Sequence, residues 1–123
     1  MTPETILLRQ VHPNFVPNGE LSSQAFFPFP KDDGKLSVYD GDQINPGESH
    51  WHYLSVMQKE SVGVWGVSVG EAATEGLPSQ NSPLPNSPAH AHIDFEARDE
   101  KLCRKLAKRL KAAALVRGCL YRA

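Results

Sequence analysis

From Arg98 to Arg117 the chain carries one broad apolar stripe at helical spacing, and that stripe constrains what the remaining residues must build. Leu102, Cys103, Leu106, Ala107, Leu110, Ala113 and Ala114 fall on one side, and Lys101, Arg104, Lys105, Lys108, Arg109 and Lys111 on the other. Gly118 supplies the stop. A helix with a wide leucine stripe has to bury it against a second layer. The earlier segments read as short strands, so the expected class is α+β: a small, mainly antiparallel sheet packed by this basic C-terminal helix, with long proline-rich loops.

The strands are identified by alternation and by their breakers. Thr5 to Val11 is the first, ended by His12-Pro13 because a residue before proline is pushed out of helical geometry. Residues 12–35 follow as a loop punctuated by Pro13, Pro17, Asn18-Gly19, Pro28, Pro30 and Asp33-Gly34. Phe15, Phe26, Phe27 and Phe29 supply its anchors, and a helical turn is predicted at Ser22 to Phe26. Lys35 to Tyr39 alternates Leu36 and Val38 against Ser37 and Tyr39, and Asp40-Gly41 turns the chain.

Asn45-Pro46-Gly47-Glu48 combines an N-cap residue, a proline at the first helical position and a glutamate at the third. It predicts a helix to about Lys59, with Trp51, Leu54 and Met57 or Gln58 at helical spacing. Ser61 to Val69, rich in valine, reads as a central strand. Gly70 to Glu75 reads as a short helix closed by Gly76. Residues 77–88, with Pro78, Pro83, Pro85 and Pro88, read as a surface loop. Ala89 to Glu96 then alternates: Ala91, Ile93 and Phe95 face one way, His90, His92, Asp94 and Glu96 the other.

The length, 123 residues, is that of one domain. No run approaches the ~20 apolar residues that span a bilayer, so no membrane contact is expected. The first residues, Met1-Thr2-Pro3-Glu4, lack the basic start and apolar stretch of a signal peptide, which makes a cytoplasmic location the expectation. Cys103 and Cys119, about 24 Å apart if both lie on one helix, are too distant for a disulfide and fit a reducing compartment.

A net charge of −1 conceals a separation. From Arg98 onward there are nine basic and two acidic side chains, +7 in all; the first 97 residues carry four and twelve, or −8. A basic helix of this kind can serve a nucleic acid or an acidic partner. The near cancellation instead favours partial neutralisation by the chain's own body, with a protein partner before a nucleic acid. Lys101, Arg104, Lys105 and Lys108 are the candidate binding residues.

His50-Trp51-His52 and His90-Ala91-His92 form two H-x-H pairs. Both on strands, they could hold a metal. The helix start at Asn45 places His50 and His52 on a helix, where residues two apart point about 200° from each other, so neither a metal nor a cofactor is expected. His90, His92 and Asp94 still form a polar strand face, and histidine beside a carboxylate can act as general acid or base near neutral pH. With His12 at the end of the first strand they are the candidate catalytic residues of a small hydrolase or nucleic-acid-processing enzyme. The blander expectation is a solvated strand face, with His12 fixing the following loop by a hydrogen bond. Gly63, Gly66 and Gly70 have no following lysine and make no phosphate loop.

The segments Val11-His12-Pro13, Ser23-Gln24-Ala25-Phe26, Leu36-Ser37-Val38-Tyr39-Asp40-Gly41-Asp42 and Pro88-Ala89-His90-Ala91 resemble those of a group of small uncharacterised bacterial proteins. The resemblance spans nearly the whole chain. It implies a self-standing bacterial domain and transfers no catalytic residue. The leading expectation is a small accessory domain that binds a macromolecular, chiefly protein, partner; the alternative is the histidine-dependent enzyme.

Overall fold

The computed structural model describes residues 1–29 and 33–123. Pro30, one of the prolines expected to punctuate the first loop, lies outside the described residues. Among the described residues six strands form one antiparallel sheet: β1 (Ile6–Val11), β2 (Lys35–Asp40), β3 (Gly63–Ser68), β4 (Ser79–Asn81), β5 (His90–Asp94) and β6 (Tyr121–Arg122), in the order β4-β5-β2-β1-β3-β6. The α-helices among them are α1 (Pro46–Ser55), α2 (Val69–Thr74) and α3 (Glu100–Arg117). This is the expected α+β class.

The leucine stripe of α3 does what its pattern requires. Cys103, Leu106, Ala107, Leu110 and Ala114 are buried against Leu7, Val11, Leu36, Val38, Trp65, Val67, Ala91 and Ile93, which point from one sheet face. Ala25 and Phe26, on a 3-10 turn at Ser23–Phe26, complete that layer. Leu102 was read into the stripe but is 41% exposed; it lies at the stripe's margin. Asp99 caps α3 by accepting from the Leu102 amide at 2.8 Å, and Gly118 ends it at φ +90°, a conformation that suits glycine.

The opposite face carries a smaller apolar cluster of Leu8, Tyr39, Val64 and Ala89, packed with Ile6, Ile44, Tyr53 and Leu120. Here α1 differs from its expectation. It begins as predicted, with a full capping box between Asn45 and Glu48. It stops at Ser55 rather than near Lys59, because Gln58 adopts a left-handed φ of +55° and the Lys59 amide returns to the Tyr53 carbonyl. Trp51 at 65% exposure and Leu54 point outward, while Ser49 and His50 are buried. Hydropathy misreads this helix because its inner side is polar and satisfied: Gln10 Nε2 donates to Ser49 Oγ at 2.8 Å, and His50 Nε2 pairs with the Ser61 carbonyl at 3.0 Å.

Residues 77–88 are not loop throughout, since β4 pairs Gln80 with His92 and Asn81 with Ala91 at the sheet edge. No apolar alternation marks Ser79-Gln80-Asn81; pairing with β5 alone makes it a strand. β3 is an interior strand, as expected: it lies between β1 and the two-residue β6, and all six β3 residues are buried. The middle of the sheet is β1 with β2, and their pairing is brief. β1 pairs with β3 along its whole length, from Ile6↔Ser68 to Val11↔Gly63, but with β2 only at Leu7↔Asp40 and Leu8↔Tyr39. Beyond Leu8 the strands part, and Arg9 bridges the fork. Its Nη1 donates to the Ser37 carbonyl at 2.8 Å and its Nε to the Ala25 carbonyl at 2.6 Å.

Candidate functional site

Two surfaces collect the polar residues singled out from the sequence: the outer side of α3, and the sheet face around β2 and β5. On α3, Lys101, Arg104, Lys105 and Lys108 are all exposed. Partial neutralisation by the chain's own body is visible on the flank of the helix. Arg109 meets Glu75 at 2.8 Å; Arg117 meets Glu71 at 2.7 Å and donates to the Gly66 carbonyl at 3.0 Å. Arg104 pairs within the helix, with Glu100 at 2.8 Å. Lys101, Lys105 and Lys108 have no carboxylate within ion-pair distance among the described residues. A groove of about 570 Å3 runs beside Lys108, lined by Glu100, Arg104, Ala107 and Lys108 on one side and by Gln24, Phe27 and Phe29 on the other. The phenylalanine loop thus forms an apolar wall opposite a charged one, in which Arg104 is paired with Glu100 and Lys108 has no such partner among the described residues.

The four candidate catalytic residues do not converge. His12 caps the 3-10 turn Pro13–Phe15, accepting through Nδ1 from the Asn14 amide at 3.0 Å, with Nε2 4.0 Å from Glu60. That is the loop-fixing bond expected for it. Asp94 accepts from the Glu96 amide at 2.7 Å, ending β5 in a turn. His90 and His92 do come together, through a residue the sequence did not suggest: Ser82 Oγ lies 2.8 Å from His90 Nδ1 and 3.1 Å from His92 Nδ1. Nor is the face simply solvated, because His92 is only 7% exposed. Burial pushes its imidazole pKa down; Lys35 and His90 add to this and Asp94 opposes it.

The proton positions follow from the partners. The Ser82 carbonyl, 2.9 Å from His90 Nδ1, can only accept, so Nδ1 carries the hydrogen and Nε2 is the free base. That Nε2 faces Ser37 Oγ at 3.2 Å. The Ser82 hydroxyl lies between His90 Nδ1 and His92 Nδ1, and His92 Nε2 is buried with no hydrogen-bond partner among the described residues. A second histidine is fixed in the same way: His52 Nε2 donates to the Asn86 carbonyl at 2.8 Å, and its Nδ1 accepts from the Tyr39 hydroxyl at 2.7 Å. Burial and the neighbouring Tyr53 push the Tyr39 phenol up to about 12, so it remains a donor.

His90, Ser37, Tyr39 and Tyr53 line the cleft opened by the parting of β1 and β2, a space of about 370 Å3 that also takes in Arg9 and Phe29. His12 is not among its lining residues. Sequence reasoning overlooked Ser37 and Ser82. The alternation of β2 placed Ser37 on a polar face, but only the register, Ser37↔His92 and Tyr39↔His90, shows which histidines share it. Among the described residues no three His, Cys, Asp or Glu side chains gather as a metal-binding set. His50 and His52, on one helix, serve different partners.

No family model matches this chain, and no curated protein or solved structure matches it either. Function must therefore be read from the side chains themselves.

Proposed function

We propose that this chain is a small cytoplasmic accessory domain that binds a protein partner through the outer face of α3, taking an acidic segment of that partner against Lys101, Lys105 and Lys108. The single observation that carries this reading is the division of labour among the basic residues of α3. The arginines that face the body, Arg109 and Arg117, are paired with Glu75 and Glu71, whereas the three lysines are exposed and have no carboxylate partner among the described residues. The groove walled by Phe27 and Phe29 adds an apolar strip beside Lys108, and interfaces favour aromatic anchors next to a polar rim. A protein is preferred to a nucleic acid because the first 97 residues carry −8, which repels a polyanion approaching at long range. No helix of the described residues is long and apolar enough to cross a membrane, and two free thiols suit a reducing compartment.

The experiment compares the wild-type chain with the triple variant Lys101→Glu, Lys105→Glu, Lys108→Glu as bait in a native extract. Any captured protein is then purified and titrated against both. The reading expects a direct complex with the wild type that weakens at least tenfold in the triple variant. A purified partner that binds both chains equally, or capture only of nucleic acid, would overturn it.

A further inference from the structure

We propose that Ser37 and His90 form a nucleophile–base pair in the cleft between β1 and β2, acting on small carboxylic esters with an apolar acyl part. The inference stands apart from the partner-binding reading: Ser37 and His90 lie on the sheet face away from α3, and although Phe27 and Phe29 border both spaces, none of the α3 lysines is used.

Three features carry it. The first is the order of the hydrogen bonds. An orienting acceptor on one imidazole nitrogen and a hydroxyl on the other is the arrangement that activates a serine. Here the Ser82 carbonyl holds His90 Nδ1–H at 2.9 Å, and Ser37 Oγ lies 3.2 Å from His90 Nε2. The orienting carbonyl is itself anchored, since the Ser82 amide donates back to the His90 carbonyl at 3.0 Å. Ser82 Oγ, though close to the same imidazole, lies at Nδ1, 2.8 Å away, so it does not compete with Ser37 for Nε2.

The second feature is access. Ser37 is exposed and lines the cleft together with His90. The pair opens on the fork where β1 leaves β2. The third is charge at the reacting centre. In β2 the Asp40 amide donates toward the β5 side, to the Ala89 carbonyl, and the Gly41 amide toward β1, to the Ile6 carbonyl. Strand alternation therefore turns the Ser37 amide toward the β1 side, into the fork. An amide on the nucleophile's own residue is suitably placed to receive the oxygen charge of a tetrahedral adduct. Arg9 Nη1, bonded to the Ser37 carbonyl at 2.8 Å, adds positive charge at the same point. Phe15, Phe27, Phe29 and Met57 give the cleft an apolar wall for the acyl part, and its volume is within the range of small-ligand sites.

The reaction balances with water as the only co-reactant. Ser37 Oγ adds to the ester carbonyl carbon as its proton passes to His90 Nε2. The adduct collapses, the bond from carbon to the alcohol oxygen breaks, and that oxygen takes the proton from Nε2. Water then gives a proton to Nε2 and adds to the acyl carbon. Ser37 Oγ leaves with that proton, releasing the carboxylic acid; no group changes oxidation state.

The test uses the full chain with a fluorophosphonate probe and p-nitrophenyl butyrate. Intact-mass and peptide analysis should find one adduct per chain, on Ser37, and butyrate release should exceed that of buffer. Ser37→Ala and His90→Asn should each lower both signals roughly 100-fold or more, with unchanged melting curves confirming that the variants fold. The triple α3 variant should retain labelling at Ser37, which separates failure of this inference from failure of the partner reading. A folded wild-type chain that neither labels nor hydrolyses, or one that labels at Ser82, would overturn the proposal.

Discussion

Arg117 at the end of α3 and Glu71 in the first turn of α2 are joined by a 2.7 Å ion pair, and each is also engaged elsewhere. Arg117 donates to the Gly66 carbonyl of β3, and Glu71 closes a capping box by accepting from the Ser68 amide at 2.7 Å. The pair thus fastens the end of the long helix to the turn where β3 becomes α2. Burial alone would raise the Glu71 carboxyl; the hydrogen bonds from Arg117 and Ser68, with the guanidinium charge, outweigh it and hold the pKa below 4.5. Because the pair is partly exposed, Arg117→Ala should cost about 1 kcal/mol or somewhat more, not the several expected of a buried pair. A depressed carboxylate pKa stabilises the fold above the unfolded value and stops doing so as pH falls through the folded value. Urea midpoints of wild type and Glu71→Gln, measured from pH 6 to pH 3, should therefore converge at the acid end.

His92 sets a second pH window. Its pKa is depressed below 6.5 by burial, with Lys35 and His90 contributing. Above that value the folded and unfolded chains both hold it neutral. As pH falls below 6.5 the unfolded chain takes up a proton that the folded chain resists, so stability declines until the folded pKa is passed. A urea series between pH 7.5 and 5 should show this decline, and His92→Gln should flatten it. A slope unchanged by the substitution would mean that His92 is as easily protonated folded as unfolded.

Core packing by α3 gives a contrast between two leucines one turn apart. Leu106 is 5% exposed among the core residues, whereas Leu102 is 41% exposed. Leu106→Ala should cost about 2–5 kcal/mol, out of the ~5–15 typical of a domain, and Leu102→Ala well under half of that. Equal shifts in the urea midpoint would mean that α3 does not dock by this face.

The physical basis of that contrast also marks what could be read from the sequence. The stripe of α3 and the alternation of Ala91, Ile93 and Phe95 are one-dimensional patterns, and both elements appear there, although β5 covers only His90–Asp94 of the expected Ala89 to Glu96 and Phe95 is buried just past its end. The Asn45–Glu48 capping box is equally local and is seen in full. What was not legible depends on partners distant in the chain. β4 exists because β5 pairs with it. α1 turns Trp51 outward because Ser49 and His50 find hydrogen-bond partners on β1 and at Ser61. The cleft exists because β1 and β2 pair at only two positions, and no residue type announces such a fork. For the same reason His90 and His92 were legible as a face, while their hydrogen bonds to Ser37 and Ser82 were not.

Gly41 is a position where the backbone leaves no room for a side chain. Its amide donates to the Ile6 carbonyl at 2.8 Å, and a Cβ built on it would overlap that same oxygen. Since the obstacle is backbone rather than the end of a flexible side chain, Gly41→Ala must push β1 from β2 at the brief stretch where they pair. A loss of about 1–3 kcal/mol is expected, in the range of overpacked sites. The same displacement would widen the fork, so labelling at Ser37 should change in Gly41→Ala even under conditions where the variant remains folded. Wild-type stability in this variant would show that the turn after β2 relaxes freely.

Salt dependence separates the partner classes open to α3. Each phosphate neutralised by a lysine releases a condensed counterion, so nucleic-acid binding through Lys101, Lys105 and Lys108 would be measurable at low salt and fall steeply as salt rises. Two effects act against it. The body carries −8 over its first 97 residues, and at physiological ionic strength attraction is screened over roughly 8 Å. The two arginines that could enlarge the basic face, Arg109 and Arg117, are held by Glu75 and Glu71. Random duplex and single-stranded DNA should consequently bind weakly or not at all at physiological salt, and the triple Lys→Glu variant should change that little. An acidic peptide containing an aromatic residue can use the Phe27 and Phe29 wall as well as the charge. Its binding should thus decline less with salt than that of DNA, and should be lost in the triple variant. Fluorescence anisotropy with both ligands across a salt series reads the difference directly. Micromolar or tighter DNA binding at physiological salt, abolished by the triple change, would make nucleic acid the partner class.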